Sequence, residues 1–549
     1  EIGSGLVGSE MCIRDRRKTF NTTAVCIPGE HYMVDISGRL QKIKEMIAAK
    51  KYFTINRARQ YGKTTTLQAL FGYLQSEYYT VLLDFQTFDA SKFKDGNIFS
   101  IAFAGSFLHA LKRNRLSENT ALEKACADLK NAAVISNSIF SLKELFECLR
   151  DICAASDKPI VLMIDEVDSA SNNQVFLDFL AQLRAQYIER AWQPAFQSVV
   201  LAGVYDIKNL KQKLRADEEH KYNSPWNIAA DFTIDMSFSQ AEIAAMLNEY
   251  TKDYGLAFDT KVFAGWIYDY TAGYPFLVSR LCQLLDEKVC LMPEYASKKA
   301  AWTKDGFNAA VRLLLQEKNT LFESLIGKLH AYPKLNRMLK AVLFSGNMYP
   351  YSADEAAIDM ATMFGFIKNK DGYVAIANRI FETRLYNYYL AEDELQKNEL
   401  YKASLQDKNQ FITNGRLDME LVLQKFIVHF NDIFSSCDER FLEEEGRKYF
   451  LLYLRPIING TGNYYIEART RDLCRTDVIV DYNGEQYIIE MKIWRGNEYN
   501  NRGESQLAAY LDAYHTKVGY LLSFSFNKNK QAGVQRINVG DKVIIEAVV

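Results

Sequence analysis

The sequence lacks several features that mark particular classes of protein. Its nine cysteines form no C-x-x-C pair and its six histidines are widely scattered, so the spacing indicates no zinc site, and we expect reduced, mostly structural thiols. Only nine prolines occur, which argues against long proline-rich linkers. No apolar run reaches the roughly 18 residues that a membrane span requires. We therefore expect a cytoplasmic protein without a membrane partner.

The chain also lacks a strong charge of either sign. Its 66 basic and 68 acidic residues give a formal net charge of -2, which excludes the chain-wide cationic field of histone-like binders but leaves local basic patches open. A length of 549 residues predicts several domains, and a hydrophobic content of 48% is enough for several cores. A single small binding module and a mainly disordered chain are both disfavoured.

Residues 1–16 show no usable structural pattern. Residues 10–16 read EMCIRDR, which resembles the translation of an adapter used in sequencing libraries. We exclude residues 1–16 from the fold argument as an adapter-derived artefact or a disordered tail.

A strand, a tight loop and a helix are predicted in that order after residue 35. Ser37 is expected to cap a first helix, and Lys51–Asn56 (KYFTIN) is typical of a short buried strand. Arg57–Thr65 (RARQYGKTT) then opens a helix through Leu67 and Leu70. This order points backbone N–H groups and the helix dipole at the position of a phosphate chain.

The loop matches the end of the phosphate-binding pattern G-x-x-x-x-G-K-[ST], with Gly62, Lys63, Thr64 and Thr65, whereas Arg57 occupies the position of the first glycine. Lys63 is expected to reach the β- and γ-phosphates of ATP, and Thr64 to ligate Mg²⁺. A lone G-K-T also arises by chance, so a second element is needed.

That second element is Lys158–Asp168 (KPIVLMIDEVD), an apolar strand that ends in carboxylates. Asp165 is expected to hold Mg²⁺ through water and Glu166 to polarise the attacking water. The alternative is an ordinary buried parallel strand with an acidic end. Two more apolar runs, Tyr79–Phe85 and Ser198–Val204, alternate with helical segments, which predicts an α/β fold with a parallel sheet.

Downstream, Thr271–Leu281 (TAGYPFLVSRL) continues into a helix and is similar to the lid bundle of AAA-type ATPases. In such lids an arginine can approach the γ-phosphate, which makes Arg280 a candidate. The alternative for Arg280 is a solvated arginine on a helix.

Cys26–Asp35 (CIPGEHYMVD), followed by Tyr52–Leu67 (YFTINRARQYGKTTTL), resembles AAA-ATPase-like proteins that carry a C-terminal PD-(D/E)XK nuclease-like domain. The resemblance extends over nearly the whole chain from about Phe20. In that family an arginine-rich loop before G-K-[ST] is usual, so Arg57 and Arg59 are candidate nucleotide contacts. The resemblance implies ATP binding and leaves hydrolysis open.

The middle of the chain predicts a winged-helix domain. Leu335–Phe344 and Asp354–Phe364 are expected to be short helices, and Phe366–Ile376 a hairpin whose turn is Asp-Gly. Lys368 and Lys370 on that hairpin are candidate contacts to a nucleic-acid backbone. The alternative is a solvated hairpin that couples two domains.

A second hairpin is predicted around Asn483-Gly484, a strong signal for a two-residue type I′ turn. If Tyr482 faces Glu485, then Asp477 lies directly opposite Glu490. Opposed side chains project from the same face, so these carboxylates could share one cation, and period-2 alternation adds Lys492 to that face.

This arrangement matches the PD-(D/E)XK signature. Asp477 and Glu490 are expected to bind Mg²⁺ or Mn²⁺, while Lys492 orients the water or stabilises the transition state. A trailing Q-x-x-x-Y places Gln506 and Tyr510 on one helix face. The signature also expects an acidic residue on a helix upstream of the hairpin. Glu445 is the preferred candidate for it, and Glu444 is almost as good a candidate. The alternative is a surface hairpin held by salt bridges.

Together these patterns predict an α/β protein with three parts: a P-loop AAA-type module with its helical lid (17–300), a winged-helix coupler (301–400) and a restriction-endonuclease-like domain (401–549). The expected function is ATP-gated, metal-dependent cleavage of DNA or RNA, with DNA favoured. A nucleotide-switched scaffold that binds nucleic acid without cutting, and a DNA-remodelling ATPase, remain alternatives. A homo-oligomer is also open, because AAA-type modules often need a neighbour's arginine.

Overall fold

The computed structural model divides the chain into two compact units. The first comprises the chain up to Gly255 with Gly273–Ser279 and Met363–Gly365, and the second comprises Leu256–Ala272, Arg280–Thr362 and Phe366–Val549. Among the described residues no helix is long and apolar enough to cross a membrane. The residues described are 17–114, 116, 118–134, 140–170, 173–204, 226–344, 349–389, 391, 399–407, 410–413, 415–434, 443–458, 462–467, 477–482, 485–493, 507–508, 511, 516–525 and 531–549.

The first unit is built on a parallel sheet. Its strands are β1 (Phe53–Asn56), β2 (Tyr79–Asp84), β3 (Ile160–Asp165) and β4 (Ser198–Gly203), in the order β1-β4-β3-β2. All neighbouring pairs are parallel. The apolar runs predicted as buried strands are confirmed, and every residue of β3 is buried.

Alternation along these strands supplies two cores. Leu162 and Ile164 of β3 face one cluster of buried side chains, whereas Val161 and Met163 face the other. The sheet is therefore covered by helices on both faces, as a parallel sheet requires. The helices of this unit are α1 (Ser37–Ala48), α2 (Lys63–Leu74), α3 (Gly96–Leu111), α4 (Thr120–Val134), α5 (Leu142–Ala155), α6 (Gln174–Glu189) and α7 (Gln240–Tyr254).

The start of α1 differs from the prediction. Ser37 is the first helical residue rather than the cap, and its N–H donates to Asp35 Oδ1 at 2.8 Å. The carboxylate of Asp35 thus satisfies the first unpaired N–H of the helix, and in the part of the chain that the structure describes no side chain caps the N–H groups that follow. The expected apolar face is present, with Leu40, Ile43 and Ile47 buried.

The second unit begins with helices and contains the predicted middle hairpin. Strands β5 (Ile367–Lys370) and β6 (Tyr373–Ile376) are joined by Asp371 and Gly372, both at positive φ, as a type I′ turn requires. Helices precede and follow the hairpin as expected. The helices of this unit, the second of which begins in the first unit, are α8 (Thr260–Thr271), α9 (Pro275–Glu287), α10 (Lys298–Ala301), α11 (Lys304–Gln316), α12 (Thr320–Ala331), α13 (Pro333–Phe344), α14 (Ala356–Met363), α15 (Arg379–Tyr389), α16 (Glu399–Asp407), α17 (Met419–Phe434) and α18 (Glu443–Ile458).

The C-terminal part of this unit is built mainly from strands. They are β7 (Ile412–Thr413), β8 (Arg416–Leu417), β9 (Gly462–Glu467), β10 (Asp477–Tyr482), β11 (Glu485–Ile493), β12 (Val518–Phe524), β13 (Gly533–Val539) and β14 (Lys542–Val548). Strands β7 and β8 form a short antiparallel pair of their own. The others form a mixed sheet in the order β13-β14-β12-β11-β10-β9, in which β11, β12 and β14 are parallel and the other pairs are antiparallel.

Candidate nucleotide site and candidate metal-dependent site

The loop between β1 and α2 has the shape of a phosphate cradle. It passes through Gln60 at φ 56° and Gly62 at φ 77°, and α2 begins at Lys63. Positive φ is the conformation for which glycine is preferred, and no atom lies within 4 Å of a Cβ built on Gly62. Gly62 is therefore favoured by the backbone turn rather than by lack of space.

Lys63 lies inside this loop. Its side chain is buried, and Nζ donates to the main-chain oxygens of Arg57 at 2.9 Å and Ala58 at 3.0 Å. Burial lowers the pKa of Lys63, while the charges of Glu166, Asp168 and Asp165 oppose that shift. The ammonium group is held by carbonyl oxygens that an incoming phosphate can replace.

Thr64 and Asp165, predicted to share a magnesium ion, lie side by side. Thr64 Oγ1 donates to Asp165 Oδ2 at 2.7 Å, and Asp165 Oδ1 accepts from the N–H of Glu166 at 2.9 Å. Burial raises the pKa of Asp165 and these two hydrogen bonds lower it. One hydroxyl and one carboxylate suit Mg²⁺, which usually takes its remaining ligands from water and phosphate.

Two further acidic residues follow at the end of β3. Glu166 is half-buried at φ 51°, a strained conformation for a non-glycine residue, and burial followed by the charge of Asp165 raises its pKa. Asp168 accepts from the N–H of Val204, just beyond β4. A Cβ on Gly203 would lie 2.8 Å from Asp168 Oδ1, so a larger residue there would displace this carboxylate.

A cavity of about 360 Å³ adjoins the loop within the first unit. Gly62, Thr65 and Thr66 form its phosphate-loop side, and Asn21–Ala24 line it from the N-terminal segment. Thr65 Oγ1 accepts from the N–H of Cys26 at 3.3 Å, which ties this segment to α2. The other walls are mostly apolar or aromatic and include Tyr32, Val34, Met236, Phe238, Met246 and Phe276.

The cavity wall also explains the T-A-G-Y-P sequence. Gly273 has φ 74°, and a Cβ there would lie 2.0 Å from the oxygen of Phe238, so only glycine fits. Pro275 then begins α9, the helix position that proline favours. The sequence predicted this helix but not the cavity, because its wall residues are widely separated in the chain.

The two loop arginines have different environments. The guanidinium of Arg57 donates to the main-chain oxygens of Asn56 and Ile234 at 2.9 Å and of Phe232 at 3.3 Å, and it lies over the Phe232 ring. Burial lowers the pKa of Arg57. Arg59 is exposed, and its charge lowers the pKa of Lys63. Arg57 therefore braces the loop, and Arg59 is the better candidate for a phosphate contact.

Arg280 lies in the second unit and forms an ion pair there. Its Nε donates to Glu317 Oε2 at 3.0 Å, and its Nη2 contacts the other carboxylate oxygen. A contact with nucleotide would require this pair to open, so that role for Arg280 remains a prediction. On the middle hairpin Lys368 is exposed and Lys370 is half-buried.

The C-terminal hairpin has the register expected from its turn. Asp477 pairs with Glu490 and Tyr482 pairs with Glu485 along β10 and β11. Glu490 is 1% exposed and Lys492 is 6% exposed, with 3.9 Å between Lys492 Nζ and Glu490 Oε1. The predicted same-face placement of Glu490 and Lys492 is thus confirmed, and both are buried rather than at the surface.

Several predicted members of this site lie outside the described residues. Gln506 and Tyr510 are among them, as are the side chains of Asp477 and Glu445, although Asp477 has a described main chain in β10 and Glu445 in α18. Among the described side chains no group of three His, Cys, Asp or Glu residues is arranged to hold a metal ion. Glu490 supplies the hard oxygen donors that Mg²⁺ and Mn²⁺ prefer.

Comparisons with solved structures give weak overall similarity. The chain is similar to the Walker-type ATPase of Pyrococcus abyssi, with 13% identity, a TM-score of 0.43, and coverage of 67% of this chain and 99% of that one. The Aeropyrum pernix ORC2 protein, in ADPNP and ADP complexes, is 11% identical with a TM-score of 0.38. That match covers 69% of this chain and 98% of the ORC2 chain. The Aeropyrum pernix ORC1 protein in complex with DNA is 11% identical with a TM-score of 0.28. That match covers 65% of this chain and 93% of the ORC1 chain.

No curated protein matches the chain significantly. The model of the AAA-like domain family matches residues 31–392, which is well over half of the chain and includes the loop, Asp165 and the segment Thr271–Leu281. The chain therefore belongs to the AAA-like domain family.

Proposed function

We propose that this protein binds ATP with magnesium in its first unit, and that the C-terminal sheet is a metal-dependent nuclease whose activity the nucleotide controls. The nucleotide part is supported mainly by the contact between Thr64 and Asp165 beside the buried Lys63. Three residues from two separate elements thus come together as phosphate and magnesium binding requires.

In the nucleotide site each residue has a separate task. Lys63 exchanges the carbonyl oxygens of Arg57 and Ala58 for phosphate oxygens, and Glu166 in its ionised form polarises a water molecule. The adjoining cavity holds the base and ribose between apolar walls. Magnesium held by Thr64 and Asp165 would neutralise part of the negative charge of the phosphates.

The binding test is calorimetric titration of the full chain with ATP and Mg²⁺. Lys63→Ala removes a charge-assisted contact worth about 1.5–3 kcal/mol, so we expect affinity to fall about 10-fold to 100-fold. Lys44→Ala is the matched control, because Lys44 forms an ion pair with Glu77 on the surface. Equal affinities for the parent and Lys63→Ala would reject the nucleotide assignment.

The nuclease part is supported mainly by the burial of Glu490 and Lys492 at the carboxyl end of a parallel strand. A surface ion pair would leave both side chains in water, whereas burying charged groups costs free energy that packing alone does not require. Glu490 and Asp477 hold a divalent cation, which supplies an activated water and neutralises the scissile phosphate. Lys492 stabilises the developing negative charge.

The nuclease test uses mixed DNA and RNA substrates with Mg²⁺ or Mn²⁺, with and without ATP, and DNA is the favoured substrate. We expect Lys492→Ala and Glu490→Gln to abolish cleavage and Lys517→Ala to keep it, since Lys517 is exposed beside Asp541. Nucleic-acid binding without cleavage in the parent, together with unchanged Mn²⁺ affinity in Glu490→Gln, would instead favour the non-cutting scaffold.

A further inference from the structure

Three parallel strands of the C-terminal sheet deliver polar side chains to one edge. Glu490 and Lys492 lie near the end of β11, Ser523 near the end of β12, and Glu546 near the end of β14. The carboxyl ends of parallel strands are the edge at which α/β sheets usually bind ligands. Ser523 and Glu546 have no role in the nuclease signature.

The strand register places these residues on one face. Lys492 pairs directly with Ser523, Glu490 with Leu521, and Leu521 with Glu546. Residues two apart on a strand share a face, so all four polar residues project on the same side. The same face becomes apolar further from this edge, where Ile479, Ile488 and Ile544 pack with Leu507 and Leu511. The polar residues therefore form a strip at the border of the apolar cluster, and one member of that cluster, Leu521, lies between Glu490 and Glu546.

Glu546 is the least expected member of this strip. It is 1% exposed, Ser523 Oγ donates to its Oε1 at 3.0 Å, and Gln535 Nε2 donates to its Oε2 at 2.6 Å. Its neighbours on this face of β14 are Ile544 and Val548, so packing does not demand a carboxylate here. Burying a carboxylate costs several kcal/mol, which makes a functional reason worth seeking.

We propose that Glu546 and Ser523 are positioning residues that fix the ammonium group of Lys492 in the candidate nuclease site. This inference rests on the proposed nuclease function. Ser523 is the direct cross-strand partner of Lys492, and its hydroxyl is oriented by Glu546. The ammonium group lies 3.9 Å from the buried carboxylate of Glu490 on its own strand, and the Ser523 hydroxyl on the next strand is held by the buried carboxylate of Glu546 one strand further on. Such a frame restricts a side chain that would otherwise sample many rotamers.

The decisive variant is Glu546→Gln, measured by steady-state cleavage in the full chain. We expect kcat to fall about 10-fold to 100-fold, as for other residues that orient a functional group, with KM and Mn²⁺ affinity nearly unchanged. Asp541→Asn, an exposed carboxylate beside Lys517, is the matched control and should keep parental kcat.

A charge swap separates positioning from stability. The double variant Glu546→Gln, Gln535→Glu keeps one amide and one carboxylate in contact. It moves the negative charge one strand farther from Lys492, a distance of about 4.8 Å. If Glu546 only stabilises the sheet, the swap restores both the melting temperature and kcat. If Glu546 positions Lys492, the swap restores the melting temperature and leaves kcat low.

A last measurement does not depend on cleavage. Acetylation of Lys492 at fixed pH, followed by mass spectrometry and normalised to Lys517, should be several-fold faster in Glu546→Gln than in the parent, since the ammonium is no longer fixed. Unchanged labelling would overturn the inference even if the enzyme cleaves DNA. Faster labelling in a protein that cleaves nothing would support the positioning and reject only the nuclease proposal.

Discussion

Both candidate sites contain a buried lysine close to carboxylates at the ends of strands, yet they hold that lysine differently. In the first unit Lys63 is bound by carbonyl oxygens of its own loop, six and five residues earlier in the chain. In the second unit Lys492 lies 3.9 Å from the carboxylate of Glu490 on its own strand and pairs with Ser523 on the next. A loop that binds its own lysine can release it to a ligand, whereas a sheet keeps its lysine in place.

The largest expected effect tests this difference through stability. Lys492→Met leaves Glu490 buried without its ammonium neighbour, which should destabilise the second unit by about 3–5 kcal/mol. Lys63→Met leaves Asp165 with its donors from Thr64 and Glu166, so we expect a cost of only about 1–2 kcal/mol. Urea unfolding of both variants measures the contrast, and equal costs would remove the distinction between the two sites.

The next effect concerns how the phosphate loop is braced. Arg57→Gly restores the usual first glycine of the motif, but it removes donors from the oxygens of Phe232 and Ile234. We expect a loss of about 2–3 kcal/mol in stability and weaker ATP binding. Arg59→Ala is the control for stability, because Arg59 is exposed and should alter affinity alone. A stable Arg57→Gly protein with parental affinity would show that the brace is dispensable.

A smaller effect tests whether the buried carboxylate of Asp481 stabilises the fold or belongs to the candidate nuclease site. Tyr270 in α8 donates to Asp481 Oδ2 at 2.7 Å, within the second unit. Burial raises the pKa of Asp481, and the hydrogen bonds from Tyr270 and Gln486 lower it. Tyr270→Phe should cost about 1–2 kcal/mol of stability and leave cleavage unchanged. Loss of cleavage at full stability would instead assign Asp481 to the site.

The smallest effect is a pH dependence in the first unit. Because the pKa of Glu166 is raised above its ordinary value of 4.5, the folded state binds this proton more tightly than the unfolded state. Its contribution to stability is therefore present below pH 4.5 and is lost as pH rises through the raised pKa. Glu166→Gln should abolish this part of the pH dependence, measured as the difference in melting temperature between parent and variant from pH 4 to 8.

Much of the local structure was predictable because it depends on neighbours in the chain. Apolar runs gave strands β2, β3 and β4, and the turn around Asn483-Gly484 gave the pairing of Asp477 with Glu490. The start of α1 was predicted wrongly, since Asp35 and not Ser37 satisfies its first N–H. Asp35 and Ser37 can each accept a hydrogen bond from the backbone, and only the backbone conformation decides which of them does so at the start of the helix.

What the sequence determined alone was the short-range geometry within some of the elements: the glycine turn before Lys63, the acidic end of β3, and the face shared by Glu490 and Lys492. These follow from backbone sterics and from the fixed periods of helices and strands. The tertiary structure decided which distant residues meet. It brought the oxygens of Phe232 and Ile234 to Arg57, assembled a cavity from residues far apart in the chain, and set Ser523 opposite Lys492 with Glu546 bonded to Ser523. Those contacts depend on the packing order of strands and helices, which no local period encodes.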